Sequence, residues 1–316
     1  MRHTVQRGAA LLLAMLTVAL VATLAAASLW QQWRAVEVET AERARVQSSW
    51  VLTGALDWGR LILREDVRAG GTDHLAEPWA VPLQESRLST FLAADKDSTV
   101  DNAESAPDAF LSGQITDLQS RMNVTNLVES GQLSQSWLQD FKRLFELLGL
   151  PQQELLTMAE NLRLATTATG ISTDSPIPLL PQRFEQLVWL GLSPATVHAL
   201  QPFVTVLPVR TTVNLNTASA EVIVSVIPDL DMAEAQKLVA SRARNYLRTI
   251  DDATRQLNLQ PGQVSAGDHS VASSYFEVLG RLRLDRTVIM ERSLVKRDGL
   301  NVSTVWRERT AADTAQ

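Results

Sequence analysis

Four histidines, His3, His74, His198 and His269, are the imidazoles of this 316-residue chain, and no two are spaced as ligands of one metal. There is no cysteine, which removes thiolate metal sites and disulfides. No Gly-rich loop of the kind that cradles phosphate occurs, and no serine sits in a nucleophile elbow. The densest run of oxygen ligands is "DKDSTVDNAESAPD", with Asp95, Asp97, Asp101, Asn102, Glu104 and Asp108. Such carboxylates suit Ca2+, but the fixed ligand spacing and central glycine of an EF-hand loop are missing. The run reads as a solvated loop in which Asp95, Asp97 and Asp101 are the calcium candidates. With no nucleophile beside a base, the chain is expected not to be an enzyme.

Nucleic-acid binding is the other chemistry the motifs raise. "VNLNTASAEVIVSVIPDLDMAEAQKLVASR", Val213 to Arg242, is similar to a helix-hairpin-helix unit, whose turn normally places two glycines where backbone N–H groups approach a phosphate. Here the turn is Pro228-Asp229-Leu230-Asp231, so both glycine positions carry carboxylates, which crowd and repel a phosphate. "FEQLVWLGLSPATVHALQPF", Phe184 to Phe203, is similar to a related unit bent at Gly191-Leu192-Ser193-Pro194. The net charge is −6, without the basic patch that phosphate binding needs. Two hairpins used for packing are expected; a membrane-anchored nucleic-acid receptor is the rival reading.

The elements that carry these residues begin with an apolar run. Ala9 to Leu29 contains no charge, Gly or Pro, and 21 residues of helix at about 1.5 Å each cross a bilayer core of about 30 Å. Trp30 and Trp33 follow where interfacial aromatics belong, and the helical pattern continues to Gly70-Gly71 with Gly54 and Gly59 as weak points. Arg2 and Arg7 precede the span while Glu37, Glu39 and Glu42 follow it, which leaves the short head cytoplasmic and the rest outside. The residues alone leave three readings open: a plain anchor beginning at Met1, a signal peptide cut after Ala25-Ala26-Ala27 to expose Ser28, or a chain cut at Gly8 that keeps its helix.

Beyond the glycine pair the pattern changes repeatedly. Residues 72–110 are loop-rich; Phe110 to Leu127 alternates enough for one or two strands around Ile115, Leu118 and Val124. From Ser134 to about Asn258 the period is helical. After Gly267 strands return: "SSYFEVLGRLRLD" sets Phe276, Val278, Leu282 and Leu284 on one face, and Arg297-Asp298-Gly299 suits a hairpin turn. Either flank alone would make a marginal sheet, so both flanks are expected to join in one, with the helical block inserted between them. The fold class is α+β: a long N-terminal transmembrane helix, an antiparallel sheet domain and a large inserted all-α domain of helix-hairpin-helix or SAM-like type. The divisions are 1–8 as leader if the chain is cut at Gly8, 9–70 as long helix with its transmembrane part at 9–29, 71–130 as the first part of the sheet domain, 131–265 as the insert, 266–310 as returning strands and 311–316 as a tail.

Four pieces then carry a resemblance: "RGAALLLAMLTVAL", "EPWAVPL", "GQITDLQSRMNVTNL" and "VNLNTASAEVI". In that order and spacing the chain resembles the pseudopilin K family of the bacterial type II secretion system. Met122 stands where such proteins tend to have an aromatic residue. The resemblance implies a prepilin peptidase that cuts after Gly8, leaving Ala9 as a typically N-methylated terminus, and a single-pass protein of the Gram-negative inner membrane with its globular part in the periplasm. It also implies a pilin-like α+β globular part with Ca2+ in some members, alongside the expectation from the residues of no enzyme and no nucleic-acid partner. The implied partners are the other minor pseudopilins in a tip complex, the major pseudopilin, the prepilin peptidase and the inner-membrane assembly platform. Pilin-like subunits generally carry glutamate at the fifth mature position, where it neutralises the terminal amine of the subunit above. Here that position is Leu13, and an unpaired amine in an apolar filament core would cost several kcal/mol. The resemblance therefore implies a subunit with nothing above it, at the tip of the pseudopilus.

Overall fold

The computed structural model describes residues 7–88, 109–167, 178–260, 262–284 and 287–313. Helix α1 is assigned to Arg7–Ala69. Packing divides the chain into Met1–Gly54 and Ala55–Gln316, and the two units are described separately.

In the first unit, α1 carries an apolar window of mean hydropathy 2.5, near the N-terminus and long enough to cross a membrane. Leu13, Leu16, Val18 and Leu24 are all about two-thirds exposed. A soluble protein hides such side chains, so this surface calls for an apolar surrounding.

The second unit is built on a five-stranded antiparallel sheet of β1 (Leu83–Arg87), β2 (Ala109–Asp117), β3 (Tyr275–Leu284), β4 (Thr287–Asp298) and β5 (Asn301–Asp313), in that spatial order. β2 pairs with β3 in unbroken register from Ala109↔Leu284 to Asp117↔Phe276, so strands from both flanks share one sheet and everything between them is an excursion from it. The α+β class expected from sequence is observed. The β4–β5 hairpin turns through Gly299-Leu300 and pairs Asp298 with Asn301, with Gly299 at φ 55°. The turn thus lies one residue further on than Arg297-Asp298-Gly299, because Arg297 is held in the strand by contacts described below. β5 runs to Asp313 because Ala311, Ala312 and Asp313 pair with Ile289, Val288 and Thr287, in the stretch that the sequence reads as tail.

One face of the sheet takes the last part of α1. Leu56 and Leu63 pack with Trp79, Ile115, Phe276, Val278, Val295 and Val302, and Trp79 meets the Phe276 ring edge-on at 5.3 Å between centroids. Gly59 makes this approach close: a Cβ there would lie 3.1 Å from Val278 Cγ1. The helix cost of an interior glycine, about 1 kcal/mol, is offset by that packing.

The excursion between β2 and β3 is helical: α2 (Gln135–Leu147), α3 (Gln152–Thr167), α4 (Pro194–Leu200), α5 (Ala220–Val226), α6 (Met232–Arg242) and α7 (Ile250–Leu257). Its core includes Trp137, Phe141, Phe145, Leu155, Met158, Leu187, Ile223 and Leu238, and it draws in Met122, Val124 and Leu127 from the stretch just after β2. Strands were expected around Leu118 and Val124. The structure instead has 3-10 turns at Leu118–Ser120 and Val124–Leu127, because Asp117 and Asn123 accept hydrogen bonds from the N–H of Gln119 and Thr125 and so bend the chain.

Candidate functional site

The residues with the most buried polar chemistry lie where the helical excursion leaves and rejoins the sheet. Asp117 ends β2, and its carboxylate accepts hydrogen bonds from Gln119 N (2.8 Å), Asn214 Nδ2 (3.0 Å), Thr217 Oγ1 (2.6 Å) and Ser273 Oγ (2.7 Å). Those donors come from the exit of β2, the start of the second hairpin unit and the approach to β3. Asn214 also donates to Asp73 O and accepts from Asn216 N, while Asn216 clamps Leu247 through both its amide atoms. Arg242 of α6 donates to the carbonyls of Leu215 and Ala218. The Asn-Leu-Asn-Thr-Ala stretch is thus a polar joint, in which Asn214, Asn216 and the incoming Arg242 close backbone groups that would otherwise be buried unpaired.

A second cluster adjoins the first. Arg297 of β4 donates to Asp66 Oδ2 (2.8 Å), to both oxygens of Asp73 (2.5 and 2.6 Å) and to Ser273 O (2.8 Å), and all three charged side chains are at most 8% exposed. Glu77 accepts from His74 N and Trp79 Nε1, both at 2.8 Å, which seats the buried Trp79 of "EPWAVPL". Oxygens of Asp66, Asp73 and Glu77 lie within 4.8 Å of one another, a grouping that would attract a cation. The cation here is the Arg297 guanidinium, so these residues fit an internal ion-pair network. Burial and mutual repulsion raise the Asp66 carboxyl, with Glu77 as the repelling neighbour, and burial likewise raises Asp73 despite Arg297.

The sequence-derived site residues fall elsewhere. Gly8, Ala9 and Leu13 lie on α1, with Ala9 and Leu13 exposed. Asp95, Asp97 and Asp101 lie outside the described residues. His74 stacks on Tyr246 at 3.9 Å between ring centroids, His269 is buried with its ring nitrogens at Ser265 O and Val226 O, and His198 sits in α4. The structure brings no pair of these histidines into a described cluster. In the hairpin turn, Asp231 caps α6 by accepting from Glu234 N (2.7 Å), Leu230 is buried, and Pro228 O accepts from Gln263. Gly191 in the other bend has φ 100°, and a Cβ there would meet Thr157 Cγ2 at 2.8 Å. Both turns use their polar groups for packing.

Two carboxyls, Asp117 at the end of β2 and Asp140 in α2, are held well above the usual carboxyl range. Burial raises Asp117 to about 6 against its four donors, and raises Asp140 to about 7 against Arg143. Their contribution to stability is therefore full below the unfolded carboxyl value and lost as pH rises through about 6 and about 7. His269 is depressed by burial and acts in the opposite sense below its ordinary value. Acidification from roughly pH 8 to roughly pH 6 is expected to raise stability by about 1 kcal/mol net, and Asp140→Asn should abolish most of that rise. Thermal melts at the two pH values decide it; a wild-type midpoint that falls on acidification contradicts the assignment.

Comparison with known proteins follows the same architecture. Two protein-family models, both described as type II secretion system protein K, match residues 213–272 and 120–209, which include the Asn214 joint and the stretch just after Asp117. Over these residues the chain is similar to the type II secretion system protein K family. Among protein K relatives, that of Pseudomonas aeruginosa PAO1 is 26% identical over 93% of this chain and 90% of its own length. That of Pectobacterium carotovorum subsp. carotovorum is 26% identical over 96% of both. A crystal structure of the GspK-GspI-GspJ complex from the enterotoxigenic Escherichia coli type 2 secretion system contains a chain of the same fold, with a TM-score of 0.64 and 18% identity over 85% of this chain and 98% of that one. The comparisons thus point to a pseudopilin of type II protein secretion, and the apolar N-terminal helix fits membrane anchoring.

Proposed function

We propose that this chain is a protein K, a non-enzymatic minor pseudopilin at the tip of the type II secretion pseudopilus, supporting filament initiation and the export of folded proteins across the outer membrane. The observation that carries the reading is Leu13. A subunit placed above would bring a terminal amine to an apolar side chain with no carboxylate to neutralise it. The large helical insert supports the same place, since such a bulk is easier to accept at an end than in a repeating shaft. Gly8 and Ala9 flank the bond cut by the prepilin peptidase, Ala9 carries the N-methyl group, and residues 9–29 hold the chain in the inner membrane with the domain from residue 71 onward in the periplasm. The small side chains of Ala14, Ala19 and Ala22 let neighbouring helices approach.

The partners in this reading are the other minor pseudopilins, then the major pseudopilin and the inner-membrane assembly platform. The Escherichia coli neighbour was crystallised with GspI and GspJ, which supports minor pseudopilins as the first contacts. Coexpression of the full chain with the smaller minor pseudopilins of the same system should yield a stoichiometric complex, and secretion should not require a carboxylate at position 13. A chain that stays monomeric among all of them, or a Leu13→Glu variant that secretes better than the natural chain, counts against the tip. The rival nucleic-acid receptor has no observation in its favour.

A further inference from the structure

The carboxyls gathered at the end of α1 outnumber the cations that answer them. Asp66, Asp73 and Glu77 stand together, and among the described residues the only guanidinium bonded to them is that of Arg297. His74 Nε2 lies 3.9 Å from Glu77 Oε1, but burial depresses this imidazole, which stacks on Tyr246. Asp117, further inward, faces Asp73 as one more acid. The donors divide the oxygens between them. Arg297 serves both oxygens of Asp73 and Oδ2 of Asp66. Glu77 Oε2 takes the backbone N–H of His74 and the indole N–H of Trp79. Asp66 and Glu77 then meet each other in a side-chain hydrogen bond. Ionised carboxylates only accept, so that bond requires a proton. A Ca2+ ion in its place would need about six to eight oxygens and would lie beside a guanidinium.

We propose that Asp66 and Glu77 share one proton, forming a clip that fastens the end of α1 to the turn seating Trp79 and that loosens on alkalinisation. Asp73 is not the part that yields, because its N–H donates to Val271 O at 2.8 Å and its Oδ2 accepts from Ser273 N at 2.6 Å. Asp66 is fixed by its helix and by Arg297. Loss of the proton therefore acts on Glu77, which is repelled by Asp66 and takes with it the acceptor of the Trp79 indole. The folded chain holds this proton above the ordinary carboxyl range, so the contribution of the clip to stability is full in acid and lost as the pH rises through the value of the pair. The clip is independent of the tip assignment and of the processing bond.

The test uses the full chain in lipid nanodiscs, labelled with 5-fluorotryptophan, with the Trp79 resonance assigned by its loss in Trp79→Phe. The Trp79 indole donates to Glu77 and so reports on that carboxyl. Its resonance is expected to titrate as the pH is raised in the natural chain. Glu77→Gln should lose the titration, because a glutamine amide keeps an acceptor for Trp79 and gives Asp66 a permanent N–H. Asp66→Asn supplies the same N–H from the other side and should lose it as well. In alkaline buffer both variants should melt at or above the midpoint of the natural chain. A Trp79 resonance that stays flat in the natural chain, or a titration that survives in both variants, overturns the proposal. So do amide variants that melt below the natural chain in alkaline buffer, since the pair would then be needed with both charges. A titration displaced by millimolar Ca2+ would put a metal ion, and not a proton, between the two carboxyls.

Discussion

Arg297→Ala is expected to destabilise the globular unit by about 3–5 kcal/mol, because it removes the cation shared by two buried carboxylates and leaves both without compensation. The loss should exceed that of any single apolar contact in the same core, and it should be specific in origin. Asp73→Asn in the Arg297→Ala background removes one of the stranded charges and should restore part of the stability. Acidification should do the same, since Asp66 and Asp73 already titrate above the ordinary carboxyl value and the charged forms are what Arg297 holds in place. Denaturant unfolding of the single and double variants measures this directly. A single variant within about 1 kcal/mol of the natural chain would mean that the pair merely breaks even against its desolvation.

The second large effect concerns Gly8. A peptidase acting at the membrane surface must fit the scissile backbone into a narrow site, and a side chain just before the cut would crowd it. Gly8→Phe is expected to accumulate uncut in the inner membrane and to abolish the contribution of this subunit to secretion, with the globular unit still folded. Immunoblots of the membrane fraction, read beside secretion of an exoprotein, give the answer. Normal processing of Gly8→Phe would place the cut elsewhere.

Much of this architecture could be read from the residues. The apolar run from Ala9 to Leu29, the helical period after Ser134 and the alternation of "SSYFEVLGRLRLD" are local patterns, and the structure has a helix, helices and a strand there. β1 escaped notice because it is a five-residue edge strand with no fully buried side chain, preceded by Pro82. The turns after Asp117 and Asn123 were missed because side-chain caps overrode an apolar alternation. The polar joint was legible only as motifs: "EPWAVPL", "GQITDLQSRMNVTNL" and "VNLNTASAEVI" contain Glu77, Asp117 and Asn214, but nothing in them says that Asn214 and Asp117 touch. Arg297 lies more than two hundred residues from Asp66 and Asp73 in the chain, so no spacing rule links them. Buried charge pairs of this kind are set by topology, and here the packing of the end of α1 against the sheet brings Asp66 and Asp73 to Arg297 of β4.

The central claim, a pseudopilin that keeps its membrane helix after losing a short leader, is tested most directly by the mass of the mature N-terminus. Protein extracted from the membrane fraction of cells with an active prepilin peptidase should begin at Ala9 and carry one methyl group. A chain beginning at Ser28 would be a freely soluble product of signal peptidase and would contradict the filament assignment. One beginning at Met1 would contradict processing altogether.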